Sequence, residues 1–338
     1  MPEQILTLYS GTTVEFSYGL SIVIRALLMG LCGWFPAHAL AQPYPSKPVR
    51  LVIPFPAGGS NDIVGRLVAS KLSEQFERQV VVDNRVGADG IIGSELVARA
   101  LPNGHTLLMI SASFPMNAAV HKLPYDPLRS FSWVAMVGDA QTILVAYPGM
   151  PVSSVKDILS FARSNPGKMM YGSSGVGGFN HFAGELFRSL AGVNMVHVPY
   201  KGGGTAMIGT ISGEVQLLFA SSVLALPQVR SSKIKTIGTG GAKRSALLPD
   251  VPTIAESVPG YDANNYWGVL APSGTPAAIV NHINASINTI LAMPDMQKRF
   301  AAEGAEIRAM SPAEFGKLIA TDITKWTRVA KDARILAQ

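Results

Sequence analysis

From Val49 onward, short β-rich runs alternate with segments of helical spacing, and that alternation restricts the chain to an α/β fold built on a parallel sheet. Val49–Ile53 reads as a buried strand, after which Ile63, Val64, Leu67, Val68, Leu72 and Phe76 recur at helical spacing. Val80–Val82 is a second strand, a helix follows around Ile91–Leu101, Pro102-Asn103-Gly104 makes a turn, and Thr106–Ile110 is a third strand. This βαβαβ order implies parallel strands with helices on both faces of the sheet. A second series begins after Pro148. Ser154 and Asp157 form a capping box for a helix ending at Asn165-Pro166-Gly167, and strands are expected at Lys168–Gly172, Met195–Val198, Val215–Phe219 and Ile234–Thr239. Thr275-Pro276 opens a C-terminal helix. Ser311-Pro312-Ala313-Glu314 opens another, with cap, N1 proline and capping-box glutamate together. No strand is expected after about Ala271.

Two βα series and a helical tail imply two α/β lobes, with the tail packed back onto the first. The chain then crosses between lobes twice, near Gln141–Tyr147 and Asn264–Gly268. Lobe one comprises residues 43–140 and 268–338, lobe two residues 141–267. A double crossing of this kind is the design of periplasmic binding proteins, whose ligand sits in the interlobe cleft.

The bulk properties narrow the function. Apolar residues make up 48% and charged residues 15% of the 338, enough for a large core. The net charge of +6 is spread along the chain with no run of five or six Lys/Arg, which argues against nucleic acid as a partner. Arg25, the apolar run Ala26–Phe35 and the small-x-small site Ala39-Leu40-Ala41 read as a signal peptide over residues 1–41, cleaved after Ala41. An uncleaved membrane anchor is the alternative, and Glu3 and Glu15 before Arg25 suggest a start further downstream. The single cysteine, Cys32, falls in this segment, so a mature protein has no thiol for a disulfide, metal cluster or nucleophile.

Two strand–loop–helix junctions carry the candidate chemistry. In Pro54-Phe55-Pro56-Ala57-Gly58-Gly59-Ser60-Asn61-Asp62, Gly58 and Gly59 allow close backbone approach, and Ser60 or Asn61 can cap a helix whose free N–H groups and positive dipole end favour an anion. The bland alternative is a tight turn with no ligand. The loop lacks the Gly-Lys-Ser/Thr of a Walker A site. The second junction, Tyr171 to His181, fails the dinucleotide fingerprint because position 180 is Asn, and no serine in it has the flanking glycines of a nucleophile elbow. His181, one turn into a helix, more often packs than catalyses. Facing helix starts can hold one carboxylate by backbone amides that need little ordering on binding.

With these loops, the chain resembles the receptor proteins of tripartite tricarboxylate transporters, often called the Bug family. The likeness runs from Tyr44 to about Ala333, through Tyr44–Arg50, Pro54–Gly59, Asn84–Ala88, Leu123–Asp126, Asn165–Lys168, Tyr171–Gly175, His197–Gly202 and Leu248–Thr253. The resemblance implies a two-lobed periplasmic binding protein-like (type II) fold of Venus-flytrap architecture and a small organic carboxylate as ligand. It also implies delivery to the membrane subunits of such a transporter from the periplasm. Its carboxylate-binding loops carry over to Phe55, Ala57, Gly58, Gly59, Asn61 and Asp62, and to Ser174, Gly175, Gly177, Gly178 and His181. Asp62 is read as ordering its own loop rather than meeting a ligand ammonium. Selectivity is implied for the Ser111-Ala112-Ser113-Phe114 loop and for Ala220-Ser221-Ser222. Many members carry aspartate where this chain has Ala220, which points to a ligand without an amine.

No catalytic residue, cofactor or metal is expected, because His105, His121, His181 and His197 lack metal-ligand spacing. A monomer is expected. A sensing module using the same cleft, and an enzyme on the same scaffold, are the remaining readings.

Overall fold

The computed structural model describes residues 44–335; the signal-peptide segment and Cys32 lie outside the described residues. Val49–Ile53 (β1), Val80–Asn84 (β2) and Thr106–Ser111 (β3) form a parallel ladder with β1 in the middle. The turns after β1, β2 and β3 lead into Ser60–Phe76 (α1), Ile91–Ala98 (α2) and Ser113–Val120 (α3). Successive side chains of β3 point to opposite faces. Leu107 and Met109 join a core with Val64, Val68 and Leu72 of α1, while Leu108 and Ile110 join a second core with Phe114 and Met116 of α3.

The sheet continues through a 16-residue strand, Phe131–Ala146 (β4). Its first part pairs with Asn264–Pro272 (β9) and Glu306–Met310 (β10), both antiparallel. From Thr142 onward its partners are Leu217–Ser221 (β7) and Lys235–Thr239 (β8). Met169–Ser173 (β5) runs parallel to β7 and to Met195–Pro199 (β6), so the continuous order is β2-β1-β3-β9-β4-β7-β5-β6. Between these strands lie Val155–Ser164 (α4), Phe179–Ala191 (α5), Gly203–Ser212 (α6) and Ser222–Arg230 (α7).

The tail forms Ala277–Leu291 (α8), Pro294–Glu303 (α9) and Pro312–Asp332 (α10). Ser311 and Glu314 cap α10 reciprocally, as expected from the sequence. At α4, Ser154 Oγ accepts the Asp157 N–H, but the Asp157 carboxylate turns to Ser153. One expectation for the tail is corrected: it does contain a strand, β10, whose largely exposed residues give no burial pattern to read. The tail packs back onto β4, α1 and α3, and Trp326 of α10 also meets Phe182 of α5 edge-on at 5.5 Å, while Arg188 of α5 donates to the Ala333 carbonyl at 3.0 Å.

Candidate anion-binding site

Five strand-to-helix turns converge on one cavity of about 270 Å³. The helix starts of α1 (Ser60, Asn61), α3 (Ser113), α5 (Phe179, Asn180), α6 (Gly203, Gly204, Thr205) and α7 (the N-cap Ser221) all line it. None of the five is capped by its own N-cap side chain. The first amides of each helix have no intrahelical acceptor and carry the positive end of the dipole, so their convergence makes a field suited to an anion. The turns lie at the carboxyl ends of β1, β3, β5, β6 and β7, where open α/β sheets place their ligands. Among the described residues lining the cavity, Lys201 is the only ionisable side chain.

The α1 turn is held from behind. The expected capping by Ser60 or Asn61 does not occur; Gly59 is the N-cap, and the Asp62 carboxylate instead accepts the Gly58 N–H at 2.9 Å. Asp62 also accepts from Arg66 Nε and Asn84 Nδ2, each at 2.9 Å. Burial pushes this carboxyl upward, but the bonds from Arg66, Gly58 and Asn84 outweigh it and hold it below its usual range. Asp62 is nearly buried and does not line the cavity. Asn61 does: its Oδ1 accepts the indole N–H of buried Trp267 at 2.8 Å, and its Nδ2 has no partner among the described residues. Across the cavity, Gly202 has φ 119°, and a Cβ there would fall 3.0 Å from Pro56 Cγ. Only glycine lets these two loops meet.

Of the residues singled out from the sequence, Phe55, Ala57, Gly58, Gly59, Asn61, Ser111, Ser113, Ser174 and Ser221 line the cavity. Six do not. Asp62 serves its loop as described. Gly175, Gly177 and Gly178 of the β5–α5 loop do not line the cavity, and His181 Nδ1 accepts the Gly177 N–H at 3.2 Å. His181 stacks on His197 with centroids 3.9 Å apart; burial, reinforced by Arg188 and His121, lowers it to about 4, so the ring is neutral near pH 7. Ala220 is fully buried and joins Ile143, Val145, Ala206 and Met207, because alternation along β7 turns it opposite to Phe219 and away from the cavity. The residue at position 220 therefore does not face a ligand, and its lack of a carboxylate does not bear on a ligand amine.

The sequence reading missed Lys201 to Thr205, Ile208, Leu224 and Asn265. The signal for the first group was present: Gly202-Gly203-Gly204 follows strand β6 and opens α6, the same strand–glycine–helix pattern as at α1. A serine–histidine pair does occur, with Ser173 Oγ 2.5 Å from His197 Nε2. Ser173 is fully buried, however, and neither residue lines the cavity, so no substrate reaches the pair there.

Comparison with known proteins agrees with this geometry. The profile described as "Tripartite tricarboxylate transporter family receptor" matches residues 64–335. A Pseudomonas sp. (strain P51) protein, described as the UPF0065 protein in the tcbD-tcbE intergenic region, is 34% identical over 87% of this chain and 88% of its own length. Among solved structures, R. palustris Rpa4515 with adipate is 33% identical with a TM-score of 0.85, covering 87% of this chain and all (100%) of that one. MatC (Rpa3494) from Rhodopseudomonas palustris with bound malate is 28% identical with a TM-score of 0.80, over 85% and 99% of the two chains. The fold is thus the two-lobed α/β fold of periplasmic binding proteins, and the chain belongs to the tripartite tricarboxylate transporter receptor family.

Proposed function

We propose that this protein is an extracytoplasmic receptor that captures a small organic carboxylate between its lobes and delivers it to the membrane subunits of a tripartite tricarboxylate-type transporter. The observation that carries the reading is the convergence of five helix starts on a cavity whose only ionisable lining side chain is Lys201. Backbone amides fixed in helix starts bind an anion without the ordering cost of long side chains. The relatives solved with adipate and malate support the same ligand class. No acidic side chain lines the cavity among the described residues, so an ammonium finds no charged partner, and the favoured ligand is a carboxylate without an amine.

The proposed lobes are residues 43–140 with 268–338, and residues 141–267. The change of partners along β4 between Gln141 and Thr142, and the start of β9 at Asn264, support hinges at these points. The protein acts as a monomer in the periplasm, exported by the 1–41 signal, and binds rather than transforms its ligand, without metal or cofactor.

A thermal-shift screen over mono-, di- and tricarboxylates, including adipate, malate, aspartate and glutamate, tests the reading. A ligand at a hundred times its Kd stabilises the folded state by about 2.7 kcal/mol, a rise of several degrees. The expected result is a rise with a carboxylate lacking an amine. No rise with any acid contradicts a carboxylate receptor, and a largest rise with aspartate or glutamate contradicts the preference against amines.

A further inference from the structure

Asp89 belongs to no element assigned above. It sits in the short 3-10 turn Ala88–Gly90 after β2, in the left-handed region at φ 47° and ψ 39°. Its carboxylate reaches across to the β5–α5 loop, where Ser174 Oγ donates to Oδ1 at 3.1 Å. The Ser113 hydroxyl also faces the carboxylate and accepts the Phe179 N–H at 2.9 Å. Asn117 Nδ2 anchors the turn by donating to the Asp89 carbonyl at 2.9 Å. The fit is close: a Cβ at Gly178, the N-cap of α5, would fall 2.8 Å from Asp89 Oδ2 and collide with Ser174 Oγ. Although Asp89 as a residue is partly exposed, its Oδ2 is shut off from solvent and has no hydrogen-bond partner, and neither has Asn117 Oδ1.

We infer that Asp89 is a positioning residue that lies against the N-cap of α5, fixes the Ser113 and Ser174 hydroxyls at the cavity wall, and takes up a proton when the lobes close. Ser113 and Ser174 both line the cavity, and with their single O–H protons given to the Asp89 carboxylate their oxygens are fixed by a group that does not itself line it. The orphaned Oδ2 is the place for the proton, because it is shut off from solvent and accepts no hydrogen bond. Burial raises this carboxyl from 3.8 to about 6, against the lowering effect of the two hydroxyls. In water, with the lobes apart, it keeps its ordinary value. The closed form therefore holds more protons between those values, and closure weakens as pH rises through about 6. The ionisable groups on the elements packed around Asp89 are Arg85 and Glu95 on its own segment, His121 at the end of α3, His181 and Glu185 in α5, and Lys201 before α6.

The inference rests on the receptor reading, and Asp89→Asn separates the two. Asparagine tolerates the left-handed backbone and keeps the shape while removing the titration. Small-angle scattering without ligand, from pH 5 to 8, should show wild type more open at pH 8 than at pH 5 and the variant's radius of gyration unchanged with pH. Calorimetry with adipate or malate should show wild-type affinity rising by up to about tenfold per pH unit on acidification relative to the variant. A wild-type radius of gyration that does not respond to pH, or binding curves that run parallel, overturns the inference. If neither acid binds, the receptor reading is what fails, and the scattering still decides the role of Asp89.

Discussion

Asn61→Asp tests the electrostatics of the cavity with little change of shape. The residue is 4% exposed, lies in the first turn of α1 and accepts the Trp267 indole N–H at 2.8 Å. In the variant one carboxylate oxygen keeps that bond, and the helix start stabilises the charge. The second oxygen replaces the unpartnered Nδ2, so an acceptor and a negative charge stand where a donor stood. Two like charges about 4 Å apart at an effective dielectric of about 20 repel by about 4 kcal/mol, close to three decades in Kd. Even a third of that is about tenfold. Calorimetric titration with the acid that most raises the melting temperature gives Kd, and a thermal melt without ligand checks the fold. We expect a melting temperature within a few degrees of wild type and an affinity at least tenfold weaker. An affinity within threefold of wild type, in a folded variant, refutes the claim that α1 presents an anion site.

Further expectations follow from single contacts. Lys201 is exposed, so Lys201→Met should weaken binding of a dianion only severalfold and flatten its dependence on ionic strength, measured by titration at low and high salt. Gly202→Val places a side chain at φ 119° against Pro56 and should weaken binding by at least tenfold, since such strain costs about 1–3 kcal/mol. Asp62→Asn removes a carboxyl held below its usual range. The stability it confers is complete above pH 4 or so and is lost as pH falls through the depressed value, so the melting-temperature gap to wild type should be full at pH 7 and shrink on strong acidification.

Much of this was legible in the sequence where the signal is local. The expected β1 matches the observed strand residue for residue, because Val49, Val52 and Ile53 are β-branched, only Arg50 interrupts the apolar run, and prolines bound it. The cap of α10 is likewise written in four consecutive residues. The long strands β4 and β9 went unread: Gly138, Asp139 and Gln141 interrupt the apolar run of β4, and only pairing with three or more neighbours makes it a strand. The β5–α5 loop looked like a ligand loop for a good local reason, yet its Ser174 hydroxyl is taken by a carboxylate 85 residues away in sequence, Asp89. No reading of the loop alone contains that. The serines of α3 and α7 illustrate the converse, since both entered only through family resemblance and the fold then set Ser113 and Ser221 at the cavity wall.

The central claim is that helix-start amides in this cavity recognise ligand charge. The most direct measurement is a pair of calorimetric titrations on the mature chain, with the acid that gives the largest thermal shift and with its uncharged amide. The account predicts saturable binding of the acid and a loss of at least about two decades for the amide, because the converging amides then meet a dipole instead of a charge. Equal affinity for acid and amide contradicts it.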